Sequence, residues 1–127
     1  MVVIDTSAWV EALRDNGKAD VKKKIARLME DDEARFCDPI LLELRNSSPR
    51  GAEKSKFDTM LSLLPSFPTT TTTWILAGKY AEKLRSRGIS VPAMDILIRA
   101  IADENAAGCY SLDADFALIE KGLSATQ

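Results

Sequence analysis

The chain contains no histidine, and that absence removes several chemistries at once. Zinc sites built on imidazole and thiolate, serine or cysteine nucleophiles activated by imidazole, and imidazole acid/base pairs are all unavailable. Cysteine is almost as scarce. Cys37 and Cys109 each lie beside an apolar or strand-like stretch, ARFC and CYSL, a setting that suits buried free thiols better than a disulfide framework. No apolar run approaches the ~20 residues that a bilayer span requires. The first residues enter a strand-like run without the basic and apolar regions of a secretory signal, so a cytoplasmic protein with no membrane partner is expected. Positive charge is not in excess either: 17 Lys and Arg stand against 19 Asp and Glu, a formal net charge of −2. That argues against a general nucleic-acid coat protein and leaves room for a local basic patch. Lys22, Lys23 and Lys24, then Arg45, Arg50, Lys54 and Lys56, then Lys83, Arg85 and Arg87 form such clusters, although solvated helix faces are the commoner origin of such runs. Any catalysis must use carboxylates, hydroxyls, amines or a metal held by oxygen.

What is present reads as one domain covering residues 1–127, with 46% hydrophobic and 28% charged residues. VVID is a buried strand, and Thr6 or Ser7 can cap a short helix through Trp9, Val10 and Leu13. A loop over DNGKAD leads to a helix over about Val21 to Glu30, and ARFC is a second strand. Asp38 as cap and Pro39 at the first helical position open the ILLEL helix. Ser47, Ser48, Pro49 and Gly51 break it, and helical spacing resumes from Ala52 to Leu64. The TTTTT run reads as a short strand whose last members cap a helix from about Trp74 to Arg87, stopped by Gly88. A proline-initiated helix, apolar on most faces, then runs toward Gly108. CYSL is a further strand, Asp113 to Asp115 a turn, and Phe116 to Lys121 a last short helix. Trp9, Trp74 and Tyr80 fall at core spacing, which favours packing over stacking on RNA bases. Strands alternating with helices predict a layered α/β domain around a parallel sheet.

In such a sheet ligands sit at the carboxyl ends of the strands. Asp5 ends the first strand and Asp113 follows CYSL, so the two acids converge if those strands are neighbours. Each is also well placed to cap the helix that follows its strand, and for either alone both readings stay open. Glu43 is surrounded by Ile40, Leu41, Leu42 and Leu44, which leaves no polar stripe for it and turns it toward a site; a rim position paired with Arg45 or Arg50 is the plainer alternative. Asp95 sits among Pro92, Ala93, Met94, Ile96, Leu97 and Ile98. A first-turn dipole effect and a pair with Arg99 would explain it on an exposed helix, but an ionised carboxylate on a helix apolar nearly all round needs a stronger partner. Two carboxylates ~4 Å apart repel by roughly 4 kcal/mol at an effective dielectric near 20. Mg²⁺ or Mn²⁺, which prefer oxygen ligands, would remove that repulsion and polarise water for attack on phosphorus.

VVIDTSAW, the ILLEL helix, VPAMDILIRAIADENAAG and YSLDADF together resemble the PIN-domain ribonucleases, specifically the VapC-type toxins of toxin-antitoxin pairs, in order and spacing over nearly the whole chain. The resemblance implies a three-layer α/β/α domain with a central parallel sheet of four or five strands, and hydrolysis of single-stranded RNA such as tRNA or ribosomal RNA. It implies Asp5, Glu43, Asp95 and Asp113 as the catalytic acids, and Asp5, Asp95 and Asp113 as ligands of Mg²⁺ or Mn²⁺. Asp115 matches an acid that helps hold a second ion; capping the last helix explains it equally well. Thr6 or Ser7 matches a hydroxyl that orients the first acid or touches the scissile phosphate. Ser111 stands where threonine is common and keeps the hydroxyl. Partners implied are the RNA, a cognate antitoxin whose C-terminal segment occupies the groove near the acids, and a second copy in a homodimer. The short tail after Gly122 leaves a last edge strand open.

Other classes fit less well. An aspartate-nucleophile phosphatase resembles D-x-D at the first strand, and Ser7 replaces its second Asp; a phospho-accepting receiver domain needs a lysine after a late apolar strand. A catalytically silent module that binds RNA or protein has no reason to keep four mutually repelling acids.

Overall fold

The computed structural model describes residues 1–47 and 50–124. The helix-breaking role expected of Ser48 and Pro49, and an edge strand beyond 124, lie outside the described residues.

Among the described residues four strands build one parallel sheet: β1 (Val2–Ile4), β2 (Ala34–Cys37), β3 (Ser66–Phe67) and β4 (Gly108–Tyr110), in the order β3-β2-β1-β4. Val2, Val3 and Ile4 are flanked on both sides, by Ala34 and Arg35 of β2 and by Gly108, Cys109 and Tyr110 of β4. Such a central parallel strand is covered on both faces, which is why it reads as an unbroken aliphatic run. Among the described residues seven helices flank the sheet: α1 (Thr6–Leu13), α2 (Ala19–Glu30), α3 (Asp38–Asn46), α4 (Gly51–Leu63), α5 (Thr71–Ser86), α6 (Ala93–Glu104) and α7 (Ala114–Ser124). Helices α1 to α4 pack as one group and α5 to α7 as another, with α3 touching α6. Trp9 is buried and stacks on Phe36 at 4.9 Å between ring centroids. Helix α6 is the most enclosed, with Ile96, Leu97, Ile98, Ala100, Ile101 and Ala102 all buried.

Several local expectations shift. Asp5, rather than Thr6 or Ser7, is the N-cap of α1. Cys37 precedes α3, and Asp38 and Pro39 form its first turn. The strand falls between the two prolines at Ser66–Phe67, whereas the threonine run caps and opens α5: Thr70 and Thr73 exchange bonds in a capping box. Helix α6 stops at Glu104 because Ala106 takes a left-handed φ of 52° and Ala107 N–H returns to the Ala102 carbonyl at 2.9 Å. Gly88, with φ of 73°, ends α5 in the same manner. Trp74 is 60% exposed, contrary to its core spacing. The stripe of α5 that faces inward is Thr73, Ala77 and Leu84, small enough at its first two positions for α6 to approach, and Trp74 lies one step round the helix. Tyr80 is half-buried and donates to Asp103 at 2.5 Å. Both cysteines are free: Cys37 is buried, Cys109 is half-buried, and burial pushes their thiols up to about 12 and about 11.

Candidate active site

Because β1 and β4 are adjacent and parallel, the residues that follow them meet at one edge. Asp5 N–H donates to the Tyr110 carbonyl at 2.9 Å and holds the two strand ends together. The Asp5 side chain is buried, and its Oδ2 accepts from Ser7 N–H at 3.4 Å, Ser7 Oγ at 2.9 Å and Ser111 Oγ at 2.9 Å. The same hydroxyl oxygens accept in turn: Ser7 Oγ from Leu112 N–H at 3.0 Å, and Ser111 Oγ from Asp113 N–H at 3.0 Å. Each hydroxyl has one proton, and here it goes to Asp5. Capping and site-forming are therefore two faces of one carboxylate, with Oδ2 fixed on the protein and no described donor on Oδ1. Asp113 caps α7 by accepting from Asp115 N–H at 3.0 Å, so the cap is Asp113 and not Asp115.

Asp95, in the first turn of α6, is 7% exposed and makes no described hydrogen bond or ion pair. Arg99 does not compensate it: the guanidinium turns the other way, to Asp103 at 3.0 Å and Glu120 at 2.6 Å. Burial, and then the charges of Asp5, Asp113, Asp115 and Glu43 in that order, raise the Asp95 carboxyl to about 7. One oxygen from each of Asp95, Asp113 and Asp115 lies within 4.8 Å of the others. This triad, rather than the full set of four expected ligands, is the tight cluster; Asp5 stands just outside it as the strongest charged neighbour of Asp95.

Glu43 is farther out. It is half-buried on α3 and accepts from Thr6 Oγ1 at 2.9 Å, so Thr6 serves Glu43 while Ser7 serves Asp5. The neighbours of Glu43 leave no polar stripe, but they are not all buried: Leu42 is 63% exposed. Thr6 therefore fixes its direction, and neither Arg45 nor Arg50 pairs with it among the described residues. Arg45 lies over the Phe57 ring instead. The link that sequence reasoning missed is the pair of backbone amides at Leu112 and Asp113, relayed by Ser7 and Ser111 onto Asp5. Only the short hydroxyl-rich spacing of Ser111 and Asp113 hinted at it.

A divalent cation fits this edge on two counts. The donors are carboxylate oxygens alone, the set that hard cations prefer, and the buried Asp95 has no positive partner. A parallel α/β domain with an acidic centre at its carboxyl edge is the class that the geometry defines. The PIN domain family model matches residues 2–122, and the chain belongs to that family. Ribonuclease VapC11 of Mycobacterium tuberculosis and VapC ribonuclease Mb1587 of Mycobacterium bovis are each 30% identical over 125 residues, covering 95% of this chain and 92% of theirs. Among solved structures, FitAcB from Neisseria gonorrhoeae superposes with a TM-score of 0.75 at 19% identity, covering 94% of each chain. VapBC2 from Rickettsia felis, bound to a DNA fragment from its promoter, gives 0.75 at 19%, covering 90% of this chain and 89% of that one. VapC20 of Mycobacterium tuberculosis, described as a sarcin-ricin loop cleaving toxin, gives 0.66 at 18%, covering 92% and 93%. Among the described residues no helix is long and apolar enough to cross a membrane.

Proposed function

We propose that this chain is a Mg²⁺- or Mn²⁺-dependent endoribonuclease, the toxin of a toxin-antitoxin pair, that hydrolyses phosphodiester bonds in single-stranded RNA such as tRNA or ribosomal RNA. The observation that carries the reading is Asp95: a buried carboxylate facing Asp5, Asp113 and Asp115, with no cationic partner among the described residues. The relatives named as ribonucleases support the reaction class.

Asp95, Asp113 and Asp115, with Asp5 beside them, would hold the cation. When bound, it supplies Lewis-acid polarisation of a phosphate oxygen and a lowered pKa for water. Ser7 and Ser111 hold Asp5 through Oδ2, and no described residue donates to Oδ1. Glu43, steered by Thr6, positions the attacking water and takes its proton. In-line attack forms the bond from the water oxygen to phosphorus and breaks the bond to the 3′ oxygen, which takes up a proton from solvent, leaving a 5′-phosphate and a 3′-hydroxyl. For Thr6 and Ser7 the resemblance left two roles open, orienting the first acid or touching the scissile phosphate, and Ser111 joins them as a third hydroxyl at the site. Their protons are committed to Glu43 and Asp5, so we assign them to positioning the acids. The complexes named VapBC and FitAcB support a cognate antitoxin as partner, and we extend the reading to a homodimer working in the cytoplasm.

The test is incubation of purified, antitoxin-free protein with labelled single-stranded RNA and total tRNA in Mg²⁺, in Mn²⁺ and in excess EDTA, beside Asp95→Asn. Metal-requiring cleavage that disappears in EDTA and in the variant supports the reading. RNA binding without cleavage by either protein would make the chain a silent binding module.

A further inference from the structure

Beside the acids, a groove of about 390 Å³ opens between α6 and α7, shared with the acid centre through Ser111 and Asp113. Its floor is the outer edge of β4. Gly108 N–H donates to Met1 and the Tyr110 carbonyl accepts from Asp5, both toward β1, so strand alternation turns the N–H and C=O of Cys109 away from β1 and into the groove. Among the described residues no strand lies beyond β4.

The walls decide what fits there. Arg99 on α6 is spent on Asp103 through Nε and on Glu120 through Nη1, which leaves the three side chains with one net negative charge. That combination disfavours a phosphate. It favours a neutral group rich in N–H donors. Glu120, on α7, is exposed and uses only Oε2 on Arg99, so Oε1 keeps its acceptor capacity. Phe116 is half-buried and lines the same wall with the exposed Ala117. Guanine matches the set: N1–H and N2–H₂ are donors for a carboxylate, O6 is an acceptor for an outward backbone N–H, and the base plane can lie against an aromatic ring.

We propose that the α6/α7 groove is a nucleobase subsite for the unpaired RNA residue flanking the scissile phosphate, with guanine the preferred base. The proposal rests on the ribonuclease reading above, and it adds a substrate preference that the acids alone do not supply.

Two measurements separate the proposals. The first compares kcat/KM on single-stranded RNA oligomers that differ only in carrying G, A, C or U at the cleavage position, for wild type, Ala117→Tyr and Glu120→Gln. The groove-filling change is at an exposed helix position, so it leaves the fold and the acids alone. Cleavage beside guanine is expected to be at least ~10-fold more efficient, and both variants lose that preference through KM while kcat at other bases changes little. The second titrates GMP or AMP into ¹⁵N-labelled wild type in EDTA and follows the Cys109 and Ala117 amides; the shared phosphate makes AMP the control. GMP-selective shifts support the subsite, and if no RNA is then cleaved it is the ribonuclease reading that falls. Cleavage without base preference, and without GMP-selective shifts, overturns the subsite and leaves the ribonuclease reading standing. Shifts of the Cys109 amide by an extended peptide and not by GMP overturn it too, and make the edge a peptide-docking strand.

Discussion

The hydroxyl oxygens of Ser7 and Ser111 lie 3.1 Å apart, and both hydroxyls donate to the same oxygen of Asp5. Through them the amides of Leu112 and Asp113 act on a carboxylate at the opposite end of the sequence. The first acid and the turn that carries the last two acids thus form one hydrogen-bonded unit.

Ser111→Ala removes one of the two hydroxyl donors to Asp5 and leaves the Asp113 amide without its acceptor. Mn²⁺ affinity, measured by calorimetry on the free protein, should fall by about 10- to 100-fold. Ser111→Thr keeps the hydroxyl and should keep the affinity. Equal affinity for all three proteins would show that the relay does not position Asp5.

Asp95 gives a stability test with a definite sign. Its carboxyl is raised from 3.8 to about 7, so between those values the folded metal-free chain holds a proton that the unfolded chain lacks. In EDTA, stability should therefore rise as pH falls from about 8 toward 5, by up to about 1.4 kcal/mol per pH unit from this group. Asp95→Asn should flatten that slope and raise the apo Tm at pH 8. The same variant should reduce RNA cleavage at least ~10²-fold. A denaturation series at several pH values reads the slope, and a variant as steep as wild type would place the proton elsewhere.

Trp9 and Trp74 separate packing from exposure. Trp9 is 1% exposed against Phe36, and truncation to Ala should cost about 3–5 kcal/mol in urea denaturation. Trp74→Ala, at a 60% exposed position, should stay within about 0.5 kcal/mol. A large loss at Trp74 would mean that it is covered in solution.

Gly17 has no room for a side chain: an added Cβ would fall 1.8 Å from the Glu11 carbonyl oxygen. Gly17→Ala should destabilise the α1 to α2 connection by about 1–3 kcal/mol. Gly108→Ala, where nothing lies within 4 Å of an added Cβ, is the matched control.

The sheet was legible wherever a strand was long or strongly apolar. VVI and ARFC are bounded by charge and proline, and the acid after VVI marks a strand end at which a ligand can sit. Ser66–Phe67 escaped because two residues carry no period. The threonines beside it have strand propensity, but their hydroxyls found a better use in capping α5. At the site, position at strand ends drew attention to Asp5 and Asp113, apolar surroundings on a helix drew it to Glu43 and Asp95, and Asp115 came only with the family resemblance. The distinctions among them did not come through. That one oxygen from each of Asp95, Asp113 and Asp115 comes within 4.8 Å of the others depends on helix placement, which no local spacing encodes. The i,i+4 rule offered Arg99 to Asp95 only as the plainer alternative for an exposed helix, and in the fold Asp103, the next acid along the same stripe, and Glu120 from α7 hold it instead.

The β1–β4 pairing also sets when the acidic centre exists. A ribosome-bound chain that has emerged through α5 carries Asp5 and Glu43 but lacks Asp95, Asp113 and the strand that brings Ser111 to Asp5. The centre closes only after a loop of about a hundred residues does, and closing so long a loop is the slow, entropically opposed part of building such a sheet. On the ribonuclease reading, an unfinished chain lacks the assembled centre, which forms only when β4 docks on β1.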